Sequence, residues 1–127
     1  MQLSSSAETR PLSPNPGPAR QQLRGLLVSS DWEGDVDAVV LAVHEAMMNA
    51  MHHAGGATSA TAAVDGDRLV VEVRDCGPGF GFENHAGSPP DPIAERGRGL
   101  WLISRIADNY EVERTPDGTC LRLTFRS

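Results

Sequence analysis

Apolar residues recur along this chain in two rhythms, one of three to four residues and one of two, and the changes between them mark out its elements. Leu23, Leu26 and Leu27 have helical spacing and Ser29-Ser30-Asp31 breaks it, which predicts a first helix over roughly 18 to 29. Val36, Val39, Val40, Val43, Met47, Ala50 and Ala54 trace one apolar stripe on a second helix, from about Asp35 to Ala54, ended by Gly55-Gly56. Two alternating segments follow, Thr58 to Val64 and Arg68 to Arg74. The Asp65-Gly66-Asp67 turn joins them as an antiparallel hairpin in which Leu69, Val71 and Val73 share a face. Leu100, Leu102, Ile103, Ile106 and Ala107 predict a third helix, opened by Gly97-Arg98-Gly99. Tyr110 to Thr115 and Thr119 to Phe125, around Pro116-Asp117-Gly118, predict a closing hairpin. Between Phe80 and about Arg96 lies a Gly-, Pro- and Asn-rich stretch longer than an ordinary connection, which reads as a functional lid or an insertion.

Residues 1 to 19, rich in Ser, Pro and Ala, offer almost nothing to bury and predict a disordered tail ahead of a single domain over 20–127. The order of helices and strands points to an α/β chain, an α+β two-layer sandwich. A length of 127 residues is enough to bury a core. The longest apolar run, Ala38 to Val43, is far too short to cross a bilayer, and no secretory signal is visible, so the expected compartment is the cytoplasm. A net charge of −6 with scattered arginines disfavours direct nucleic-acid binding. Cys76 and Cys120 are far apart with no CxxC partner and read as free, half-buried thiols, and the adjacent His52 and His53 diverge on a helix, which argues against a zinc site.

Three stretches supply complementary chemistry. His44-Glu45-Ala46-Met47-Met48-Asn49-Ala50 brings an acid and an amide, Asp75-Cys76-Gly77-Pro78-Gly79 an acid before a sharp turn, and Gly97-Arg98-Gly99-Leu100 flexible backbone at a helix start, where amides suit phosphate. Together they predict an ATP site. Glu45, Asn49 and His52 fall in one sector of the second helix, opposite its apolar stripe, which taken alone is an ordinary solvated face. There is no GxxxxGK[ST] loop, Gly97-x-Gly99 does not follow a strand as a dinucleotide fingerprint would, and a eukaryotic-type kinase would need more chain.

In combination and order, HEAMMNAMHHA, RDCGPGF, ERGRGLWLISRIAD and DGTCLRLTF resemble the N, G1 and G2 boxes and closing strands of the GHKL ATPase superfamily. Within that superfamily they resemble the bacterial anti-sigma factor serine kinases, and the likeness spans about Arg20 to Phe125. The resemblance implies a Bergerat fold, a mixed, mostly antiparallel sheet covered on one face by about three helices. It implies ATP and Mg²⁺, with Asn49 as metal ligand, Asp75 accepting from the adenine amino group, Gly77 and Gly79 admitting the ring and Thr119 supporting it. Gly97 and Gly99 would let the lid fold over the phosphates, with helix amides from about Leu100 facing them and Arg96 or Arg98 adding charge. Glu45 is then the general base, one turn from Asn49. The implied partners are a STAS-domain antagonist phosphorylated on serine and a sigma factor held by partner switching. Relatives usually open with a strand that joins the sheet and often a homodimer, and residues 1 to 19 make a poor strand, which leaves dimerisation open. Two alternatives stand beside the kinase: a nucleotide-gated binding module without transfer, and the catalytic domain of a histidine kinase. The latter fits less well because only about 20 residues precede the first helix.

Overall fold

The computed structural model describes residues 8–77 and 95–127, and within them every side chain but those of residues 8, 53, 95–98 and 100. Among the described residues five strands form one sheet in the order β1-β2-β3-β5-β4, where β1 is Glu8–Leu12, β2 Ala57–Asp65, β3 Arg68–Asp75, β4 Asn109–Thr115 and β5 Gly118–Arg126. Three described helices accompany it: α1 (Pro16–Ser29), α2 (Val36–Ala54) and α3 (Glu95–Ile106). All four strand pairings are antiparallel, so the expected mixed sheet is, among the described residues, wholly antiparallel.

The period-two patterns place one apolar row on the helix-covered face. Leu69, Val71 and Val73 of β3 stand opposite Phe125, Leu123 and Leu121 of β5, and all six are buried. Ala60 and Ala62 extend the row onto β2, and Leu12 of β1 reaches it opposite Ala60. On the opposite face Arg122 donates to Glu72 at 2.8 Å and pairs with Glu111 at 3.3 Å, an ionic row across β3, β5 and β4. The hydrogen bond to Glu72 holds the Arg122 guanidinium above its ordinary pKa.

Helix α2 is the hub, packing on β2 and β3, against α1 and against α3. Asp35 caps its start, its carboxylate accepting from the Ala38 amide at 3.1 Å. Burial takes in Val39, Val40, Ala42, Val43, Ala46, Met47, Asn49 and Ala50, which is broader than the single stripe the sequence predicts. A helix with neighbours on three sides has little solvated surface, and small residues let those neighbours approach. Helix α1 buries Ala19, Leu23 and Leu27, spaced by four, and starts at Pro16, two residues earlier than expected.

Residues 8–12 correct the expectation of a disordered tail, since β1 pairs with β2 from Glu8↔Val64 to Leu12↔Ala60. An edge strand needs only backbone pairing and one anchoring side chain, here Leu12, and tolerates Pro11 as a central strand would not, so poor composition does not forbid it. A strand therefore opens the sheet, which the composition of residues 1 to 19 did not lead one to expect. No helix among the described residues is long and apolar enough to cross a membrane.

Candidate nucleotide site

Two of the three polar residues in the sector of α2, Glu45 and Asn49, are not on a solvated face. Asn49 is only 4% exposed, Glu45 is half-buried, and both lie under α3, where a Cβ built on Gly99 would stand 3.1 Å from Glu45 Oε2 and 3.3 Å from Asn49 Oδ1. Among the described residues, Asn49 Nδ2 is the one buried side-chain nitrogen or oxygen without a hydrogen-bond partner. Leaving such a donor unpaired costs on the order of 1–3 kcal/mol, so the site keeps a polar group that folding alone does not reward. His52, predicted in the same sector, is exposed and does not join Glu45 and Asn49.

A second cluster forms at the ends of the two central strands. Asp75 closes β3 opposite Thr119 of β5, its Oδ1 accepts from the Gly77 amide at 2.9 Å, and Thr119 Oγ1 donates to the Gly77 carbonyl at 3.2 Å. The turn after the strand is thus tied from both sides, by its own acid and by a buried hydroxyl from the neighbouring strand. Among the described residues nothing donates to the second Asp75 carboxylate oxygen, which leaves an acceptor for an incoming donor.

The chain path relates the clusters. Helix α2 ends at Ala54, two glycines follow, and Ala57 then pairs with Asp75 itself. Asn49, five residues and about 7–8 Å of helix rise before Ala54, therefore sits toward the same end of the molecule as Asp75.

The third stretch is placed differently from the expectation. Helix α3, as described, runs Glu95–Ile106, so Gly97 and Gly99 lie inside it rather than opening it. Glu95 and Arg96 are good helix formers, and the glycine at 99 answers to the nearness of Glu45, not to a turn. The side chains of Arg96, Arg98 and Leu100, together with Gly79 and the predicted lid up to residue 94, lie outside what the structure describes.

Sequence reasoning missed Gly118. It has φ +147°, and a Cβ there would overlap the Asp75 carbonyl oxygen and stand 2.7 Å from Cys76 Cα. Its only visible signal, Asp117-Gly118 in a hairpin turn, is shared by many turns. Also unforeseen is the contact of Arg20 on α1 with His44 Nδ1 on α2, at 3.2 Å. The thiols divide rather than match, Cys76 being exposed and Cys120 buried.

Residues 17–125 match the histidine kinase-like ATPase domain. The chain belongs to this family. No curated protein matches the chain significantly. A histidine kinase-like ATPase domain is an ATP-binding domain of the GHKL kind, and Mg²⁺ normally accompanies the nucleotide. The residues fit such a cation only as partial ligands. Among the described residues no cluster of three or more His, Cys, Asp or Glu could hold a metal, while Asn49, beside Glu45, carries a buried Nδ2–H without an acceptor. That unpaired N–H suits an incoming acceptor such as a phosphate oxygen, and it is the oxygens of Asn49 and Glu45 that would suit a hard cation whose remaining ligands are water and phosphate.

Proposed function

We propose that this ATPase domain is an ATP-dependent protein-serine kinase of the anti-sigma type, which phosphorylates a STAS-domain antagonist and sequesters a sigma factor. The observation that carries the reading is the pairing of Glu45 and Asn49 one helical turn apart beneath Gly99, where Glu45 Oε2 and Asn49 Oδ1 lie together and the buried Asn49 Nδ2–H still lacks an acceptor such as a phosphate oxygen. A carboxylate and an amide so placed address one point above α2, the arrangement phosphoryl transfer needs for a base and a metal ligand.

In this mechanism Asp75 accepts a hydrogen bond from the adenine amino group, Gly77 and Thr119 frame the ring, and Asn49 offers an oxygen to the cation. Bound Mg²⁺ neutralises charge on the phosphate oxygens. Glu45 takes the proton from the serine hydroxyl as its oxygen bonds to the γ-phosphorus, and the bond from that phosphorus to the bridging oxygen breaks to release ADP. Holding the base on a packed helix keeps it aligned with the attacking oxygen.

The test is transfer of radiolabel from γ-labelled ATP to a STAS-domain protein from the same cell. Wild-type protein labels a serine, and Glu45→Ala loses labelling by about a hundredfold or more while still binding ATP. Undiminished labelling by Glu45→Ala would refute the base. An acid-labile product would mark a histidine acceptor instead, and ATP binding without any transfer would mark a nucleotide-gated binding module.

A further inference from the structure

We propose that Gly118 is a positioning residue for base recognition, because its missing side chain lets the β4–β5 corner abut the Asp75–Cys76 peptide and so fixes the Asp75 carboxylate. The inference rests on the reading of Asp75 as the adenine acceptor and adds to it the element that holds this acid in place.

Gly118 starts β5 directly after the Pro116-Asp117 turn, pairs with Thr115 of β4, and precedes Thr119, which stands opposite Asp75. Two demands meet at this residue. The backbone has φ +147°, where L side chains are strained, and any Cβ would collide with the Asp75 carbonyl oxygen and come within 2.8 Å of its carbonyl carbon. A hairpin glycine by itself needs only the first. Gly66, in the β2–β3 turn at the other end of β3, shows that case, with φ +65° and nothing within 4 Å of an added Cβ.

The atoms that a Cβ at 118 would push are main-chain atoms of the residue carrying the acid and of Cys76, with no flexible side chain to yield in their place. The Asp75 carboxylate is oriented by its bond to the Gly77 amide, and the Gly77 carbonyl is held by Thr119, the residue after Gly118. Displacing the Asp75–Cys76 peptide therefore turns the carboxylate away from the position the hydroxyl and the amide define. Thr115 braces the corner, its Oγ1 donating to the Gly118 carbonyl at 3.3 Å.

The experiment measures binding of ATP and of purine riboside triphosphate, which lacks the 6-amino group, by calorimetry with Mg²⁺. Wild-type protein prefers ATP about tenfold or more, the worth of one hydrogen bond to a charged acceptor. Gly118→Ala brings that ratio close to one with analogue affinity within about twofold of wild type, and adds no further loss on an Asp75→Asn background. Gly66→Ala lowers the melting temperature and keeps the wild-type ratio, which separates positioning from turn strain. Thr115→Val, which loosens the corner without adding bulk, lowers the ratio about threefold and serves if Gly118→Ala does not fold. A folded Gly118→Ala with the wild-type ratio overturns the proposal, as does an unchanged ratio in Thr115→Val. Wild-type protein that binds both nucleotides equally instead overturns Asp75 as base reader, and binding of neither overturns the ATP site itself.

Discussion

Gly99 on α3 lies so close to Glu45 on α2 that a methyl group there would stand 3.1 Å from the Glu45 carboxylate oxygen. Glycine inside a helix costs about 1 kcal/mol relative to alanine, so this position forgoes stability where the acid passes beneath. Gly99→Ala is expected to hold or raise the melting temperature while lowering phosphoryl transfer about tenfold or more, since a small displacement of a base misaligns it. Thermal melts and initial rates on the same preparation check this, and full activity in a stabilised variant would contradict it.

Asn49 makes the converse case. Replacing it with leucine, of similar size, removes the buried unpaired Nδ2, and the nucleotide-free protein is expected to gain about 1 kcal/mol. On the proposed role of Asn49 as a cation ligand, the same variant is expected to lose the Mg²⁺-dependent part of ATP affinity. Titrations with Mg²⁺ and with chelator should coincide for Asn49→Leu and differ for wild type.

The two thiols should part company toward an alkylating reagent. Cys76 is exposed beside Asp75, whereas Cys120 is 2% exposed and its pKa is raised, first by burial and then by the Glu72 carboxylate. The thiolate is the reactive form, so iodoacetamide at neutral pH should add once, at Cys76. Peptide mass mapping reads the site, and saturating ATP is expected to slow the reaction.

Cys120 also predicts an alkaline limit. Its folded pKa lies above the unfolded one, so the folded chain retains a proton that the unfolded chain releases. The stability this gives is complete below the free thiol's value of 9.0 and declines as pH rises from there through the folded value. Melting temperatures taken from pH 8 to pH 10.5 should fall more steeply for wild type than for Cys120→Ala; parallel curves would rule the thiol out.

Elements whose side chains alternate or recur on a helical period were legible in the sequence, because one face of each meets the core. Leu69, Val71 and Val73 land where their period puts them, as do the boundaries of α2 and both hairpins. Strand β1 was not legible, since its place depends on backbone pairing to β2, which leaves no compositional mark. Helical spacing put Glu45 with Asn49 in one sector of α2, and the family resemblance, not the residues alone, named Thr119 beside Asp75; the structure places the members of each pair next to each other. Neither spacing nor resemblance could foresee that α3 buries Asn49 or that Gly118 touches Asp75, for both are matters of distance between segments remote in sequence.

Asp75 and Thr119 stand on β3 and β5, each of which has a bonded neighbour on both sides, while Glu45 and Asn49 rely for their cover on a separate helix. Strands inside a ladder open least readily, and a docked helix can shift without disturbing them. The two clusters therefore differ in stiffness. On the proposed reading, in which they hold one nucleotide, adenosine should find its seat ready made, tripolyphosphate by itself should find little to hold it, and the intact nucleotide should enter ring first, with the metal and the acid drawn in afterwards.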